Sequence, residues 1–300
     1  MIDTRRLRTL RAVADHGTVT AAAAALHLTP SAVSQQLVAL EHEVGHRLFT
    51  RDGRGVRLTA VGRIMLSHAN EVLAQLERAE AEVAAYATGE AGEVTVACFA
   101  TAISAVLSPA IAALRATSPG VRVRVLDAEG DHSLTMLLDG EVDLAIAVEY
   151  GGAPDAADRR LSRLPLYAEP FDVVLPAGHP LAESATLTAL AEETWIGPYP
   201  GNPVHDVITF ACRQAGFTPD LRHCSDDFRA VVALVGAGSG VALVPRLALR
   251  DMALPGVVVR RTPGPERRVF AAVRRGADAR PLLRPLLSAL RTVAESLGTG

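Results

Sequence analysis

The chain has 300 residues, of which 49% are hydrophobic and 21% are charged. This composition is typical of a soluble globular protein, excludes disorder as the main state, and at this length suggests about two domains. All 30 basic residues are arginine, and the formal net charge of −3 excludes a uniformly basic nucleic-acid coat but leaves room for a local basic patch.

Cysteine usage and hydropathy indicate the compartment. Cys98, Cys212 and Cys224 are far apart and form no CxxC motif, which argues against a disulfide framework or a cysteine-rich zinc site. The N-terminal sequence lacks the apolar stretch of a signal peptide, and no run approaches the roughly 18 apolar residues of a membrane span. We therefore expect a soluble, cytoplasmic protein without a membrane partner.

Charge is distributed unevenly along the chain. Residues 1–63 contain nine Arg against five Asp or Glu, whereas residues 64–93 contain one Arg against six Glu. The basic part is small and N-terminal, and this asymmetry is the first indication of contact with nucleic acid.

The N-terminal residues predict three helices. Residues 4–16 are amphipathic, and residues 19–26 form a short alanine-rich helix. After a tight turn, Thr29 is a good N-cap and Pro30 suits the first position of a third helix, which ends at Gly45.

The third helix has two distinct faces. Its apolar stripe consists of Val33, Leu37, Leu40 and Val44. Its opposite face carries Ser31, Gln35, Val38 and His42. A short helix, a tight turn and a second helix with small polar side chains outward are typical of a helix-turn-helix that enters a major groove. The alternative is an ordinary three-helix bundle with a solvated face.

A glycine-containing hairpin follows this helix pair. Residues 48–58 (LFTRDGRGVRL) predict a two-stranded wing from which Arg51, Arg54 and Arg57 project. Arginines on such a tip suit DNA phosphates or a narrow minor groove, and a solvated loop is the alternative.

Residues 59–87 predict one long helix with a near-heptad apolar seam. We expect dimerisation through this seam, and the alternative is that the helix packs on its own domain. The residues expected at the dimer contact are Val61, Met65, Val72, Leu76 and Val83. The glycines of residues 89–92 predict a hinge.

The remainder of the chain alternates strands and helices. The strands 94–98, 121–126 and 142–148, with helices 103–117 and 133–139 between them, predict a parallel βαβαβ sheet. A second set begins with the strand 171–175 and continues with helices at 187–193, 204–215 and 227–235 and strands at 221–224, 241–244, 257–261 and 269–273, before a terminal helix at 281–297. Two α/β lobes with a ligand cleft between them are expected.

The run TVTAAAAALHLTPSAVSQQLVALEHEVGHRLFTRDGRGVRLTAVG, residues 18–62, resembles the winged helix-turn-helix of LysR-type transcriptional regulators. The segments GEVTVACFAT, LSPAI, SPGVRVRV and DGEVDLAI resemble the first effector-binding lobe of that family, and FDVVLPAGHPLA and VGAGSGVALVP resemble the second.

The resemblance implies the domain organisation. It implies an all-α winged helix-turn-helix DNA-binding domain at 1–58, a linker helix at 59–88, and an α/β effector-binding domain of the periplasmic binding protein type II kind at 92–300. Lobe I would take about 92–163 and 268–300, and lobe II about 164–267.

The resemblance also implies a regulator rather than an enzyme, without a cofactor. Its partners would be double-stranded operator DNA, a small-molecule effector and further copies of itself in a homotetramer, with RNA polymerase as another candidate. Pro30 stands where many members have Gln, and Gln35 where many have Arg. The operator sequence therefore does not transfer from relatives.

Candidate contact residues follow from the helix pair, the wing and the family's ligand position. For DNA we expect Thr29, Pro30, Ser31, Ser34, Gln35, Val38, Arg51 and Arg54. For the effector we expect Phe99, Ala100, Thr101, Glu129, Gly130, Asn202 and Phe228. Helix N-termini favour an anion, whereas Asp127 and Glu129 favour an amine, so the effector is expected to be anionic or amphoteric. Thr101 could instead only cap its helix.

Two motifs favour other functions but lack the necessary context. His42–His46 (HEVGH) matches a zinc protease signature, but Gly45 would end the helix between the two histidines. GAGSG at 236–240 follows a helix and precedes a strand, the reverse of a dinucleotide fingerprint, and its glycines could instead close the cleft wall. A periplasmic binding protein would need an export signal and would not need the basic helix pair, and no GxSxG elbow supports acyl transfer.

Overall fold

A computed structural model describes residues 2–53, 55–86, 92–149, 158–183, 185–261 and 263–297. The N-terminal part consists of α1 (Thr4–His16), α2 (Val19–Ala25), α3 (Pro30–Val44), β1 (Phe49–Asp52), β2 (Gly55–Leu58) and α4 (Ala60–Tyr86). The strands β1 and β2 form an antiparallel hairpin. These bounds match the predicted helices, wing and linker helix to within one or two residues.

Local chemistry fixes the ends of α3 and the start of the wing. The Thr29 side chain accepts a hydrogen bond of 3.2 Å from the Ala32 N–H, as an N-cap does. Gly45 adopts a left-handed conformation, φ +75°, and ends the helix as predicted. The Glu41 Oε1 atom accepts the backbone N–H groups of Leu48 (2.7 Å) and Phe49 (3.3 Å), so α3 holds the wing directly.

The core of the N-terminal part is shared with α4. Leu10, Leu40 and Leu48 are completely buried, and they pack with Ala69 and Leu73 of α4 in one cluster. About the first half of the linker helix therefore belongs to the N-terminal fold.

The C-terminal part is a mixed α/β structure around a seven-stranded sheet in the order β10-β6-β11-β5-β3-β4, with β9 on β6. Its strands are β3 (Gly92–Cys98), β4 (Val121–Asp127), β5 (Leu144–Glu149), β6 (Leu161–Pro176), β7 (Thr194–Gly197), β8 (Asp220–Cys224), β9 (Ala242–Pro245), β10 (Val257–Arg260) and β11 (Glu266–Arg274). Its helices are α5 (Ala100–Ala102), α6 (Ser108–Thr117), α7 (Gly130–Asp139), α8 (Pro203–Gln214), α9 (Phe228–Gly236), α10 (Arg246–Leu249) and α11 (Leu283–Leu297).

The predicted parallel pairing is confirmed for the first three strands of this domain. The strand β3 runs parallel to both β4 and β5. The other strands of the large sheet, β6, β9, β10 and β11, join it by antiparallel pairing, which the alternation of strands and helices did not predict.

The strands β6 and β11 connect two lobes. The first part of β6 pairs with β11, whereas Phe171–Pro176 pairs with β9 and β10. Separate hydrophobic cores lie on the two sides, one containing Tyr167 and Val269 and the other beginning at Phe171. The boundary between lobe I and lobe II thus lies near Pro170 of β6. This is a few residues beyond the expected boundary at 163/164.

Several local predictions need correction, and among them the predicted strand 171–175 is the second half of β6. The predicted helix 187–193 is only a 3-10 turn, Thr188–Leu190, and the strand β7 that follows it was missed. The predicted helix 103–117 begins earlier, at Ala100, because α5 and α6 are joined by a π-helical turn, Ile103–Leu107. Ala100–Thr117 has the length and apolarity of a membrane span, but Val106, Leu107 and Ala110 are buried in the lobe I core.

Candidate DNA-binding face and effector cavity

The outward face of α3 carries the predicted DNA contacts. Ser31, Ser34 and Gln35 are exposed, and Val38 keeps 64% of its surface accessible. Thr29 and Pro30 at the start of the helix are also exposed. The Thr29 hydroxyl accepts the cap hydrogen bond and lies 3.0 Å, oxygen to oxygen, from Ser31.

The wing lies beside this face. Arg51 and Arg57 are exposed on β1 and β2, whereas the predicted contact Arg54 lies outside the described residues. Exposed guanidinium groups next to an outward polar helix face are the arrangement that phosphate and groove contacts require. Gly45 ends α3 between His42 and His46, and the described residues contain no group of three or more potential metal ligands.

The residues predicted for the dimer seam of the linker helix fall into two groups, one partly buried and one exposed. Val61, Met65 and Leu76 are partly buried against their own N-terminal core. Val72 and Val83 remain 43% and 70% exposed. Ile64, which the seam prediction omitted, is 60% exposed and lies on the same side of the helix as Val72. The alternative, packing on the same domain, thus describes Val61, Met65 and Leu76, whereas the dimer contact stays a prediction for the exposed Val72 and Val83.

A cavity of about 990 Å³ lies between the two lobes. The predicted effector residues Ala100, Thr101, Glu129, Asn202 and Phe228 line it. Phe99 is 4% exposed and lies below the cavity, and Gly130 packs on Pro203 rather than lining it. The cavity also includes residues that sequence reasoning missed, chiefly Ser104, Tyr199, Asp226, Arg229, Arg250 and Asp251.

Carboxylates dominate the charge of this cavity. Its lining contains Asp127, Glu129, Asp226, Asp227 and Asp251 against Arg229 and Arg250. The Asn202 amide donates to Glu129 from lobe I and to Asp226 (3.0 Å) from lobe II, and therefore connects the lobes. Burial raises the pKa of Glu129 to about 7, and the nearby Asp226 carboxylate contributes to that increase.

Thr101 is held by a buried ion pair. The Arg267 Nη2 atom lies 2.7 Å from Glu169 Oε1 and donates to Thr101 Oγ1 at 2.7 Å. Phe99, not Thr101, is the N-cap residue of α5, so the alternative in which Thr101 only caps its helix is wrong. Because the Thr101 oxygen accepts from Arg267, its own proton is directed to another acceptor.

The buried thiols are unsuited to redox chemistry. Cys98 and Cys212 are buried. Burial raises the pKa of Cys212 to about 12 and that of Cys98 well above its usual value. A thiol becomes a reactive nucleophile only as the thiolate, so these two are poor peroxide sensors.

The glycine-rich segment at 236–240 does not close the cavity. None of its glycines lines that space. A Cβ added at Gly240 would clash with the Thr194 carbonyl oxygen, so the segment packs against β7. The prediction that these glycines close the cleft wall is therefore wrong.

Known families match both parts of this architecture. The family described as "Bacterial regulatory helix-turn-helix protein, lysR family" matches residues 4–63, and "LysR substrate binding domain" matches residues 87–295. The chain is a LysR-type transcriptional regulator. This family consists of DNA-binding regulators with an effector-binding domain rather than of enzymes.

Individual LysR-type proteins are similar over nearly the whole chain. The transcriptional regulator MetR of Salmonella typhimurium is 32% identical over 92% of this chain and 86% of its own. A H2O2-bound cysteine mutant of Corynebacterium glutamicum OxyR has a TM-score of 0.61 and 25% identity, covering 99% of this chain and 96% of that one. Full-length CbnR in complex with its target DNA has a TM-score of 0.55 and 24% identity, covering 98% and 100%.

The raised pKa of Glu129 predicts a pH-dependent effect of Glu129→Gln on this regulator. The folded state favours protonated Glu129, so ionisation opposes folding and stability falls as the pH rises from 4.5 to about 7. The neutral variant avoids that loss, and we expect it to be about 1–3 kcal/mol more stable than the unmodified protein near pH 8 but similar near pH 4.5.

Urea unfolding at the two pH values measures this difference. The control is Glu183→Gln, because the Glu183 side chain is 94% exposed and should show no such trend. An equal difference at both pH values would contradict a raised pKa for Glu129.

Proposed function

We propose that this LysR-type regulator binds operator DNA through α3 and the wing, and that a small amine-bearing effector in the interlobe cavity controls it. The observation that carries the effector part is the cavity whose lining contains five carboxylates and two guanidinium groups. The regulator acts in the cytoplasm as an oligomer, and an activated form would meet RNA polymerase at the promoter.

The DNA contacts divide into two kinds. Gln35 lies on the exposed face of α3 and can pair in bidentate fashion with adenine, while Thr29, Ser31 and Ser34 suit phosphates or base edges. Arg51, and Arg54 beside it in the sequence, would contribute charge at the backbone or the minor groove. Val38 would contact a thymine methyl group.

Arg51→Ala and Gln35→Ala should therefore weaken binding differently. The arginine variant should bind all sequences more weakly and show a salt slope lower by about one, since one phosphate contact is lost. The glutamine variant should lose roughly 1–3 kcal/mol of discrimination at a single base pair. Selection from random duplex DNA, followed by anisotropy titrations at several salt concentrations, measures both effects.

Arg122→Ala is the matched control, because Arg122 is exposed on β4, outside the N-terminal domain. If both test variants bound and selected DNA as the unmodified protein does, docking through α3 and the wing would be wrong.

The ligand class follows from charge and hydrogen-bond direction. A positively charged nitrogen between Glu129 and Asp226 would offset the repulsion from Asp226, which adds to the effect of burial in raising the Glu129 pKa. A purely anionic ligand would meet an excess of carboxylates. Thr101 and the first N–H groups of the helix at Ala100 would bind an acceptor on the same molecule. An amine, including an amphoteric amino acid, therefore fits better than an anion.

A thermal-shift panel of small amines, amino acids and carboxylates tests this assignment. Amines and amino acids should stabilise the protein, and more strongly near pH 8 than near pH 6, because Glu129 must ionise to pair with the cation. Asp226→Asn should weaken the binding of such hits by roughly tenfold or more.

Asp220→Asn is the matched control, since Asp220 is exposed on β8 and does not line the cavity. Stabilisation by carboxylates alone would overturn the amine assignment.

Self-association is proposed through the exposed stripe of α4. The stripe comprises Ile64, Val72 and Val83, while Met65 and Leu76 support the helix from behind. A long helix that leaves such side chains exposed favours a second helix against it. A tetramer would form by pairing two such dimers through their effector domains.

Val83→Asp should weaken the dimer without unfolding the chain, because Val83 is 70% exposed. Sedimentation velocity measures the dimer, and Val38→Asp, at a similarly exposed valine on α3, is the control. Leu76→Asp should also lower the stability of the N-terminal domain, because Leu76 is partly buried in it. A Val83→Asp protein as dimeric as the control would contradict this interface.

A further inference from the structure

Helix α7 lies between the effector cavity and the DNA-binding domain of the same chain. Its ten residues, Gly130–Asp139, span about 15 Å. The first end is at the cavity and the last end is at α1, the helix that packs on α3. A single helix thus connects these two places.

The cavity end of α7 is in direct contact with lobe II. Glu129, its N-cap residue, accepts a hydrogen bond from the Asn202 amide. Gly130 has φ +57°, and a Cβ added there would lie 3.1 Å from Cδ of Pro203, the first residue of α8. Closure or opening of the cavity therefore acts on the first turn of α7.

The other end of α7 is bound by the N-terminal domain. The Asp139 Oδ1 atom lies 3.1 Å from Nε2 of His16, and both side chains are less than one-fifth exposed. The Arg11 Nη2 atom lies 3.5 Å from the Leu138 carbonyl oxygen. Beside these contacts Arg160 pairs with Asp15 of α1.

Arg274 of β11 connects the same turn to the linker helix. The Arg274 Nη1 atom donates to the carbonyl oxygens of Leu137 (2.8 Å) and Val142 (2.8 Å), and its Nε atom donates to Glu77 of α4 (3.1 Å). The last turn of α7 is thus bound directly by α1 and, through Arg274 of β11, indirectly by α4. Several partly buried pairs acting together restrain a helix better than one exposed pair.

The recognition helix α3 is packed tightly against α1. Leu10 of α1 is completely buried in one cluster with Leu40 of α3, and Val13 of α1 is completely buried in another with Val33 of α3. A close-packed interface of this kind moves as a unit rather than deforming. A displacement of α7 along or across its axis would therefore change the position of the recognition helix.

We propose that α7 is a rigid connection that transmits the state of the cavity to the winged helix-turn-helix of its own subunit. The proposal rests on the proposed function, because it treats the cavity as the effector site. It assigns to His16, Asp15, Arg160 and Arg274 a role in regulation, although none of them touches the cavity or the outward face of α3.

Hydrogen–deuterium exchange of the full-length protein tests the docking contact first. Asp15→Arg places two like charges together at Arg160 and should speed exchange in α1 and the last turn of α7 on the order of threefold or more. The reversed pair, Asp15→Arg with Arg160→Asp, should restore slow exchange in part, because positions 15 and 160 again carry opposite charges, while the pair of Arg160 with Asp158 (2.7 Å) is lost. Asp220→Arg, an exposed charge reversal on β8, should leave α1 unchanged.

Transmission is tested from the cavity end. Gly130→Ala introduces a methyl group against Pro203 and should alter exchange in α1, and this distant effect should vanish in the Asp15→Arg background. Gly178→Ala is the control, because Gly178 has a similar backbone, φ +80°, with nothing within 4 Å of the added Cβ. Should Gly130→Ala fail to fold, Pro203→Ala removes the same contact from the lobe II side.

The outcomes separate the two proposals. If Asp15→Arg left exchange in α1 unchanged, the docking contact would be wrong. If Gly130→Ala and Pro203→Ala changed only the residues around the cavity, α7 would not transmit, while effector binding in the thermal-shift panel and DNA binding would stand unaffected.

Discussion

The buried ion pair between Arg267 and Glu169 determines how the two lobes meet. The two residues are register partners on β11 and β6, and their side chains are 1% and 3% exposed. Such a pair is tolerated in a protein interior only when its remaining hydrogen-bonding groups are satisfied. Here Arg267 donates to Thr101 in lobe I, and Glu169 accepts the N–H of Leu247 in lobe II at 2.8 Å. The hydrogen bonds that satisfy this buried pair therefore hold Thr101 on one wall of the cavity and Leu247 on the other.

This arrangement explains why the charge of an arginine so close to the cavity is not available to a ligand. Glu169 neutralises the guanidinium, and the ring of Phe99 covers it, with Cζ 5.0 Å from the ring centre. The charge that a ligand meets comes instead from the exposed ends of β4, the loop before α9 and the segment after α10. Those three places lie far apart in sequence and meet only because β6 and β11 bring the lobes together.

The sequence predicted elements well where a local pattern determines them. The caps of α3, its apolar stripe and the turn residues of the wing are local, and each of them lies where expected. The first half of β6 was missed because Pro165 and Pro170 interrupt it, and its pairing with β11 depends on a strand about a hundred residues away. Thr101, Glu129 and Asn202 were found through family resemblance, whereas Asp226 and Asp251 carry no local signal for a cavity.

The π-helical turn at Ile103–Leu107 has a consequence for the shape of the cavity wall. A turn of this kind contains one residue more than an α-helical turn requires. If the same residues formed a regular α-helix instead, Ala100 and Thr101 would lie about 100° further around the axis relative to the buried residues of α6. The side of the helix that faces a ligand is therefore set by the length of one turn. Substitutions that favoured a regular α-helical turn there would redirect this wall while keeping every side chain that forms it.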